Sequence, residues 1–368
     1  MLPLVDAGSA SGTRTGRRYP DRVSLRSLPA LLRNEPAMTQ VVGVRGATLA
    51  VSTPAQAFVL AGLVRLGSRK PVLVVTPTGA AAAQLAHDLE AFATGVDEED
   101  AHRPPLVELF PAWETLPFER ISPEVHTMGR RLRLLWALGG GSGAPMPDIV
   151  VAPVKAVLQR LGPWRTAARP VVVARGDRVV VDDLVAQLVA LGYRRESLVE
   201  HRGELAVRGG IVDVFPSTGD EPVRIDLWGD EVDRLTRFDV ADQRSTDDLE
   251  VVELFGCREL VTDGAMRRRA ADLVATDPWG RHQWDRIAHD EQFDGMESWL
   301  PWLVDEVELL PDLLGDGPRW SWSSPDGSAT GRPSCSTRSR PWPTPWPPPG
   351  GSRPEGTHPG CTPRSTAC

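Results

Sequence analysis

Residues 205 to 238 read LAVRGGIVDVFPSTGDEPVRIDLWGDEVDRLTRF and carry the clearest structural pattern in the chain. Three runs here read as β-strands, at residues 205–215, 222–228 and 232–238. Apolar and polar residues alternate in the first two, as they do in half-buried strands. Turn-forming residues separate the runs at positions 217–220 and 229–230. The stretch therefore predicts an antiparallel meander of three strands.

The same alternation predicts a shared face for three side chains. In the first run the apolar residues hold odd positions, which sends Arg208 to the opposite face, although Asp213 interrupts the pattern. In the second run the odd positions are again apolar, which places Arg224 and Trp228 on the other side. Arginine together with tryptophan is the composition of an interface hot spot. If the strands pair, the face predicts a binding surface for a partner with acidic groups and an apolar rim.

An ordinary charged face explains the same residues. Arg208 and Arg224 could form surface ion pairs with Asp226 or Glu204, and Trp228 could pack beneath a neighbouring loop. Both interpretations stay open. If the face binds a partner, alanine at either arginine or at the tryptophan should remove binding and leave the melting temperature unchanged. If the face is an ordinary charged surface, the same substitutions should lower the melting temperature.

The chain before this stretch alternates strand-like and helix-like segments, a pattern typical of a parallel α/β sheet. Strands are predicted at residues 48–51, 71–75, 106–110 and 148–152, and helices at residues 54–66, after a capping Thr78, and at residues 129–138. After residue 161 come a strand at 170–174, a helix at 182–191 and then strands only, which indicates a separate α+β domain.

Composition changes abruptly near residue 315. From Gly317 to Cys368 the chain has no Leu, Val, Ile, Met, Phe, Tyr or Lys and is rich in Pro, Ser, Arg and Trp. Such a segment cannot build a core, and it is what a GC-rich gene yields in the wrong reading frame, so we exclude it from the fold. A polyproline ligand at residues 341–349 is the functional alternative. The Arg-rich start is treated as disordered or extended.

Charge and composition exclude several classes of protein. The 368 residues are 41% hydrophobic and carry a formal net charge of -8, so the chain can build cores but offers DNA no general attraction. The four cysteines and seven histidines form no metal-ligand spacing. We therefore expect no bound metal. The chain also has no apolar run long enough to span a membrane and no secretory signal, so we expect no membrane association and a cytoplasmic location.

A nucleotide site is not expected. Phosphate loops need a Gly-x-x-x-x-Gly-Lys-Ser/Thr motif after the first strand, but residues 51–56 read VSTPAQ and no Gly-Lys pair occurs anywhere. Pro54 also lacks the N–H such a loop would use. His126 and His201 have no neighbouring nucleophile pattern, and the acidic run at residues 97–100 is typical of a solvated surface. We expect no catalytic residue, no bound cofactor and no enzymatic activity in this chain.

Several stretches resemble one bacterial family closely. They are LFPAWETLPFE at residues 109–119, VVAPVKAVLQ at 150–159, EHRGELAVRGGIVDVFP at 200–216, RIDLWGDE at 224–231 and FDVADQRS at 238–245. They are similar to the N-terminal module of transcription-repair coupling factors (Mfd), the part that resembles the excision-repair protein UvrB. The resemblance covers roughly residues 33 to 314. UvrB itself has the phosphate loop that this chain lacks.

The resemblance implies a fold and a partner. The family's first domain is a helicase-like α/β fold that has lost nucleotide binding, and its next domain recruits UvrA through two arginines and an aromatic residue. Those positions fall on Arg208, Arg224 and Trp228, where a Phe is often found instead of Trp. RNA polymerase and DNA are bound by later domains, which include an ATP-driven DNA translocase and are not encoded here. The chain is therefore expected to be a truncated coupling factor.

The predicted organisation has five parts. Residues 1–32 are a disordered or extended start, residues 33–162 the helicase-like α/β domain, residues 163–248 the α+β UvrA-binding domain with the antiparallel meander, residues 249–315 the second part of the UvrB-like module, and residues 316–368 a disordered tail. Two other functions stay open. One is a helicase-like ATPase of excision repair with an unrecognised nucleotide site, which a micromolar affinity for ATP would indicate. The other is a Pro-rich adaptor that acts through the tail.

Overall fold

The computed structural model describes residues 25–42, 44, 47–68, 70–93, 106–305, 308–314 and 319–321. The strands are β1 Val72–Thr76, β2 Val107–Leu109, β3 Ile149–Pro153, β4 Val171–Ala174, β5 Arg194–Arg195, β6 Glu204–Arg208, β7 Ile211–Val214, β8 Val223–Trp228, β9 Glu231–Phe238, β10 Ser245–Asp248, β11 Val251–Leu254 and β12 Arg319–Ser321. The helices are α1 Pro36–Val41, α2 Gln56–Leu66, α3 Gly79–Ala93, α4 Val125–Leu138, α5 Val154–Leu158, α6 Trp164–Ala167, α7 Val181–Ala190, α8 Gly264–Thr276, α9 Arg281–Ala288, α10 Leu300–Leu303 and α11 Leu310–Leu313.

The first sheet is parallel, with strand order β12-β1-β3-β2. Helices cover both of its faces. The central strands β1 and β3 are apolar at nearly every position, as is typical of strands that are buried on both sides. On one face Val72 and Val74 pack with α2 and α3, and on the other Leu73 packs with Leu132 and Leu135 of α4. The hydroxyl of Thr78 accepts a hydrogen bond from the N–H of Ala81 at the start of α3, as predicted.

The second sheet has six strands in the order β10-β9-β8-β7-β6-β5, antiparallel except for the β5–β6 pair. Helix α7 packs on one face through Leu184 and Leu188, together with Val173 of the two-stranded ribbon β4–β11. The opposite face has a smaller cluster that includes Ala206 and Phe238. The predicted fold class, a parallel α/β sheet followed by an α+β part with an antiparallel meander, is confirmed.

Residues 264–291 form a separate compact unit. It is a helical hairpin of α8 and α9 joined by a 3-10 turn at Pro278–Gly280. Trp284 is fully buried within it and meets the ring of Trp279 edge-on at 5.6 Å. Across both units, the described residues contain no helix long and apolar enough to cross a membrane.

Three local expectations were wrong. Residues 48–51 form no strand, since Leu49 packs against the core from a loop. Residues 25–34, assigned in part to a disordered start, form a 3-10 helix whose Leu32 packs beside α2. Residues 319–321, assigned to the tail, form a strand whose backbone pairs in parallel with β1. The remaining residues of the predicted start, up to 24, and of the predicted tail, including the 341–349 proline run, lie outside the described residues.

Residues 51–56, where a phosphate loop would follow the first strand, belong to the part of the chain that the structure describes. Residues Thr53–Ala55 form a 3-10 turn with Pro54 inside it, and this turn leads directly into α2. The chain therefore enters the helix by a short turn there, where a phosphate loop would present a row of backbone N–H groups.

Candidate functional site

Residues 205–215 form a hairpin and not the single strand that their alternation predicted. Strands β6 and β7 run antiparallel and are joined at Gly209 and Gly210. Gly209 has a φ of +62°, a conformation that glycine adopts at no steric cost. The second turn of the meander, at Gly229–Asp230, lies where it was predicted, with Trp228 paired to Glu231 across it.

The two-residue turn changes which positions face the core. Leu205 and Val207 of β6 lie opposite Val214 and Val212 of β7, so odd positions face α7 in β6 and even positions do so in β7. Asp213 therefore belongs to the other face, between Ala206 on β6 and Arg224 on β8. The irregularity that Asp213 made in the sequence is a consequence of this turn.

Asp213 joins the two predicted arginines. Its carboxylate is fully buried, and it accepts hydrogen bonds from Arg224 Nε at 2.7 Å and Arg224 Nη2 at 3.0 Å, and a further bond from Arg208 Nη2. Arg224 also donates to the carbonyl of Gln243 at 3.2 Å, and its guanidinium lies 4.8 Å from the ring centroid of Phe238. The hydrogen bonds to Asp213 raise the pKa of Arg224, so this cation stays charged throughout the accessible pH range.

The exposed fractions of the three predicted residues differ widely. Trp228 is 84% exposed, the Arg208 side chain is 47% exposed and the Arg224 side chain is 16% exposed. The backbone N–H of Leu227 bonds to the carbonyl of Gly210 at 2.9 Å, which brings Trp228 to the end of the sheet where the Arg208 strand turns. All three side chains thus share one face of the sheet, as the alternation predicted, and we call this the Arg-Trp face.

The alternative explanation of these residues was wrong in its details. Trp228 does not pack beneath a loop, and the arginines bond to Asp213 and to neither Glu204 nor Asp226. Glu204 instead accepts hydrogen bonds from the backbone N–H groups of Glu200 and His201. Burial alone would raise the pKa of Glu204, but these bonds together hold it below its ordinary value.

Outside the three residues of the Arg-Trp face, the same side of the sheet carries Arg234 on β9 and Asp248 on β10, which the sequence analysis missed. Asp226 lies opposite Arg234, and Arg234 Nε donates to Asp248 at 2.8 Å. Burial raises the pKa of Asp226, and the Asp213 carboxylate adds to the rise against the opposing effect of Arg224. The sequence predicted β9 but not the face of Arg234, because a register shift in the β8–β9 pair between Asp226 and Leu227 interrupts the alternation of β9.

A stability contrast follows from these exposures. Replacing Trp228 by Ala should change the free energy of unfolding by no more than about 0.5 kcal/mol, because the indole buries little surface. Arg224→Ala should lower it by about 1–3 kcal/mol, because the buried Asp213 carboxylate loses two of its hydrogen bonds. Urea unfolding of the two variants measures the difference, and equal stabilities would contradict it.

A cavity of about 300 Å³ lies at the carboxyl ends of β1, β2 and β3, where parallel α/β sheets bind ligands. It is lined by Gly79, Leu109, Pro111, Ala112, Trp113, Glu114 and Pro153. The lining has one carboxylate and no cation, and the carboxylate already accepts a hydrogen bond from Thr127 Oγ1. This chemistry does not suit a triphosphate. Among the described residues, no three His, Cys, Asp or Glu side chains are grouped to hold a metal ion.

Comparison with known proteins gives two results. Residues 171–259, which contain the whole Arg-Trp face, match the family model described as the UvrB interaction domain. The chain is 40% identical over 296 residues to the transcription-repair-coupling factor of Mycobacterium tuberculosis (strain CDC 1551 / Oshkosh), across 76% of this chain and 23% of that protein. It is 32% identical over 322 residues to the factor of Myxococcus xanthus, across 86% and 25% respectively.

The factor of Escherichia coli (strain K12) is 32% identical over 209 residues, which cover 55% of this chain and 18% of that protein. The matched region thus spans about a quarter of the length of these relatives, or less.

Proposed function

We propose that this chain is the UvrA-binding part of a transcription-repair coupling factor, so that the whole factor recruits UvrA to lesion-stalled RNA polymerase in nucleotide excision repair. Two findings support the proposal: homology to transcription-repair-coupling factors over most of the chain, and the match of residues 171–259 to the UvrB interaction domain. The Arg-Trp face is the proposed UvrA-binding surface. The proposal does not extend to RNA polymerase, to DNA or to ATP-driven translocation, and we expect no ATP hydrolysis by the residues that the structure describes.

The exposed indole of Trp228 is the observation that supports this proposal most. A tryptophan that is 84% exposed stabilises its own fold very little, so its place on the same face as Arg208 is better explained by a partner that covers it. Tryptophan and arginine are the residue types that contribute most to binding at protein interfaces. A partner surface with carboxylates beside an apolar pocket would complement them.

The test is binding of purified UvrA to the immobilised full chain. Trp228→Ala should raise the Kd by about 30-fold or more, since a hot-spot residue contributes about 2 kcal/mol or more. Arg208→Ala should weaken binding in the same direction. The melting temperature of Trp228→Ala should stay close to that of the wild type, and Arg208→Ala should lower it less than Arg224→Ala does, because Asp213 keeps both bonds from Arg224.

Arg237→Ala is the matched control. Arg237 lies on the same sheet but opposite Val223, on the other face, and its side chain is 44% exposed against 47% for Arg208. Binding of UvrA should be unchanged by this substitution. If wild type and the Trp228 variant bound UvrA equally, or if the control lost as much binding as the Arg208 variant, the proposed surface would be wrong.

A further inference from the structure

We propose that Asp213 is a positioning residue of the Arg-Trp face: it fixes the guanidinium of Arg208 in the orientation that the partner binds. This inference rests on the proposed function and assigns a role to a residue that touches no partner, since its side chain is fully buried. Each of its two carboxylate oxygens accepts a hydrogen bond from a guanidinium, and one of them accepts from both arginines.

The two arginines use Asp213 in different ways. Arg224 binds it with two nitrogens and donates a third bond to the Gln243 carbonyl, so its guanidinium is committed to the protein and only 16% of its side chain is exposed. Arg208 binds Asp213 through Nη2, and its side chain remains 47% exposed. Arg224 therefore holds Asp213 in place. Asp213 in turn holds Arg208 through one nitrogen, so the other N–H donors of the Arg208 guanidinium can bond to a partner.

Local structure makes room for this arrangement. Asp213 lies directly opposite Ala206 in the β6–β7 pair, so the neighbour it faces across that pair has one of the smallest side chains. The turn at Gly209–Gly210 brings Arg208 and Asp213 onto one face although they are five residues apart. An arginine that is already ordered loses less side-chain entropy when it binds, which strengthens binding without adding a contact.

Charge and positioning predict opposite effects at this residue. Asp213→Asn removes a negative charge from a face that binds acidic groups, so a role limited to charge predicts equal or tighter binding. A positioning role predicts weaker binding, because an asparagine amide has one neutral acceptor oxygen and cannot keep all three bonds that the carboxylate accepts, while its NH2 group donates and would face a guanidinium. The sign of the change in Kd therefore separates the two.

The experiment measures the Kd of purified UvrA for the full chain with Asp213→Asn and with Asp248→Asn. Asp248 is the matched control, because it removes the same charge beside Arg234, on β10, without touching Arg208. We expect Asp213→Asn to raise the Kd about tenfold and Asp248→Asn to change it less than about threefold. In the double variant Arg208→Ala with Asp213→Asn, the second substitution should add little to the first, since Asp213 acts through Arg208.

Arg208→Lys gives a second test that leaves the buried carboxylate intact, so it applies even if the Asp213 variant does not fold. Lysine keeps the charge but lacks the planar fork that Asp213 orients. Binding that falls nearly as far as in Arg208→Ala supports positioning, and full retention overturns it. Loss of binding in Trp228→Ala with tight binding in Asp213→Asn overturns the role of Asp213 alone. Equal binding by wild type and Trp228→Ala overturns the proposed function itself.

Discussion

Replacing Arg131 by Met lowers the free energy of unfolding by about 3–5 kcal/mol, the largest loss expected for any single change described for this chain. The Arg131 side chain is fully buried on α4, and its guanidinium pairs with the Glu259 carboxylate, which is also buried. Its Nη1 donates to the carbonyl of Pro111 at 2.7 Å, and it lies 4.1 Å from the ring centroid of Phe110. Methionine keeps most of the volume but leaves a buried carboxylate without its cation.

Arg133→Met is the control for this prediction. Arg133 lies two residues further along α4 and pairs with Glu108, but its side chain is 43% exposed. An exposed pair of this kind contributes about 0–1 kcal/mol. Chemical unfolding of the full chain compares the two variants, and a loss below about 1 kcal/mol for Arg131→Met would show that the buried pair is not needed.

Gly129→Ala is expected to destabilise the fold by about 3 kcal/mol, near the upper end of overpacking costs. A Cβ at this position of α4 would lie 2.7 Å from Cβ and 3.0 Å from the backbone carbonyl carbon of Ser217. Ser217 cannot move aside easily, because it is fully buried, donates through its hydroxyl to the Phe255 carbonyl at 2.9 Å and bonds through its N–H to the Tyr193 hydroxyl. Helix α4 must therefore shift away from the segment that follows β7.

The matched control is Gly79→Ala in α3. This glycine is also helical, but a Cβ there meets no atom within 4 Å. Alanine should leave the midpoint of unfolding unchanged or raise it slightly, since it stabilises helices by up to about 1 kcal/mol relative to glycine. If both variants had the same midpoint, close packing at Gly129 would not explain its presence.

Periodicity predicted most of the secondary structure because each buried element shows it locally. The strands β1 and β3, the helix α7 and the turn at Gly229–Asp230 all lie within a few residues of their predicted positions. The failures have a common physical cause. Whether residues 48–51 or 319–321 form strands depends on a distant partner strand, and no local pattern reports that.

The site was predicted in part for the same reason. Alternation placed Arg208, Arg224 and Trp228 on one face, and the register confirms that placement; their contact with UvrA stays a prediction. One error in the first run did not affect the site: the turn at Gly209–Gly210 was missed, but Arg208 precedes that turn and its face does not depend on it. What the sequence could not show is which carboxylate the arginines bind, because Asp213 looked like an irregularity and proved to be the centre of the cluster.

The two-glycine turn between β6 and β7 also constrains how this region can vary in length. A slip of one residue in the β6–β7 pairing would move every side chain of β7 to the opposite face of the sheet. Val212 and Val214 would then leave the apolar cluster against α7, and the Asp213 carboxylate would enter it. The two-residue turn fixes this register, so a loop longer by one residue would need a bulge to keep the faces in phase.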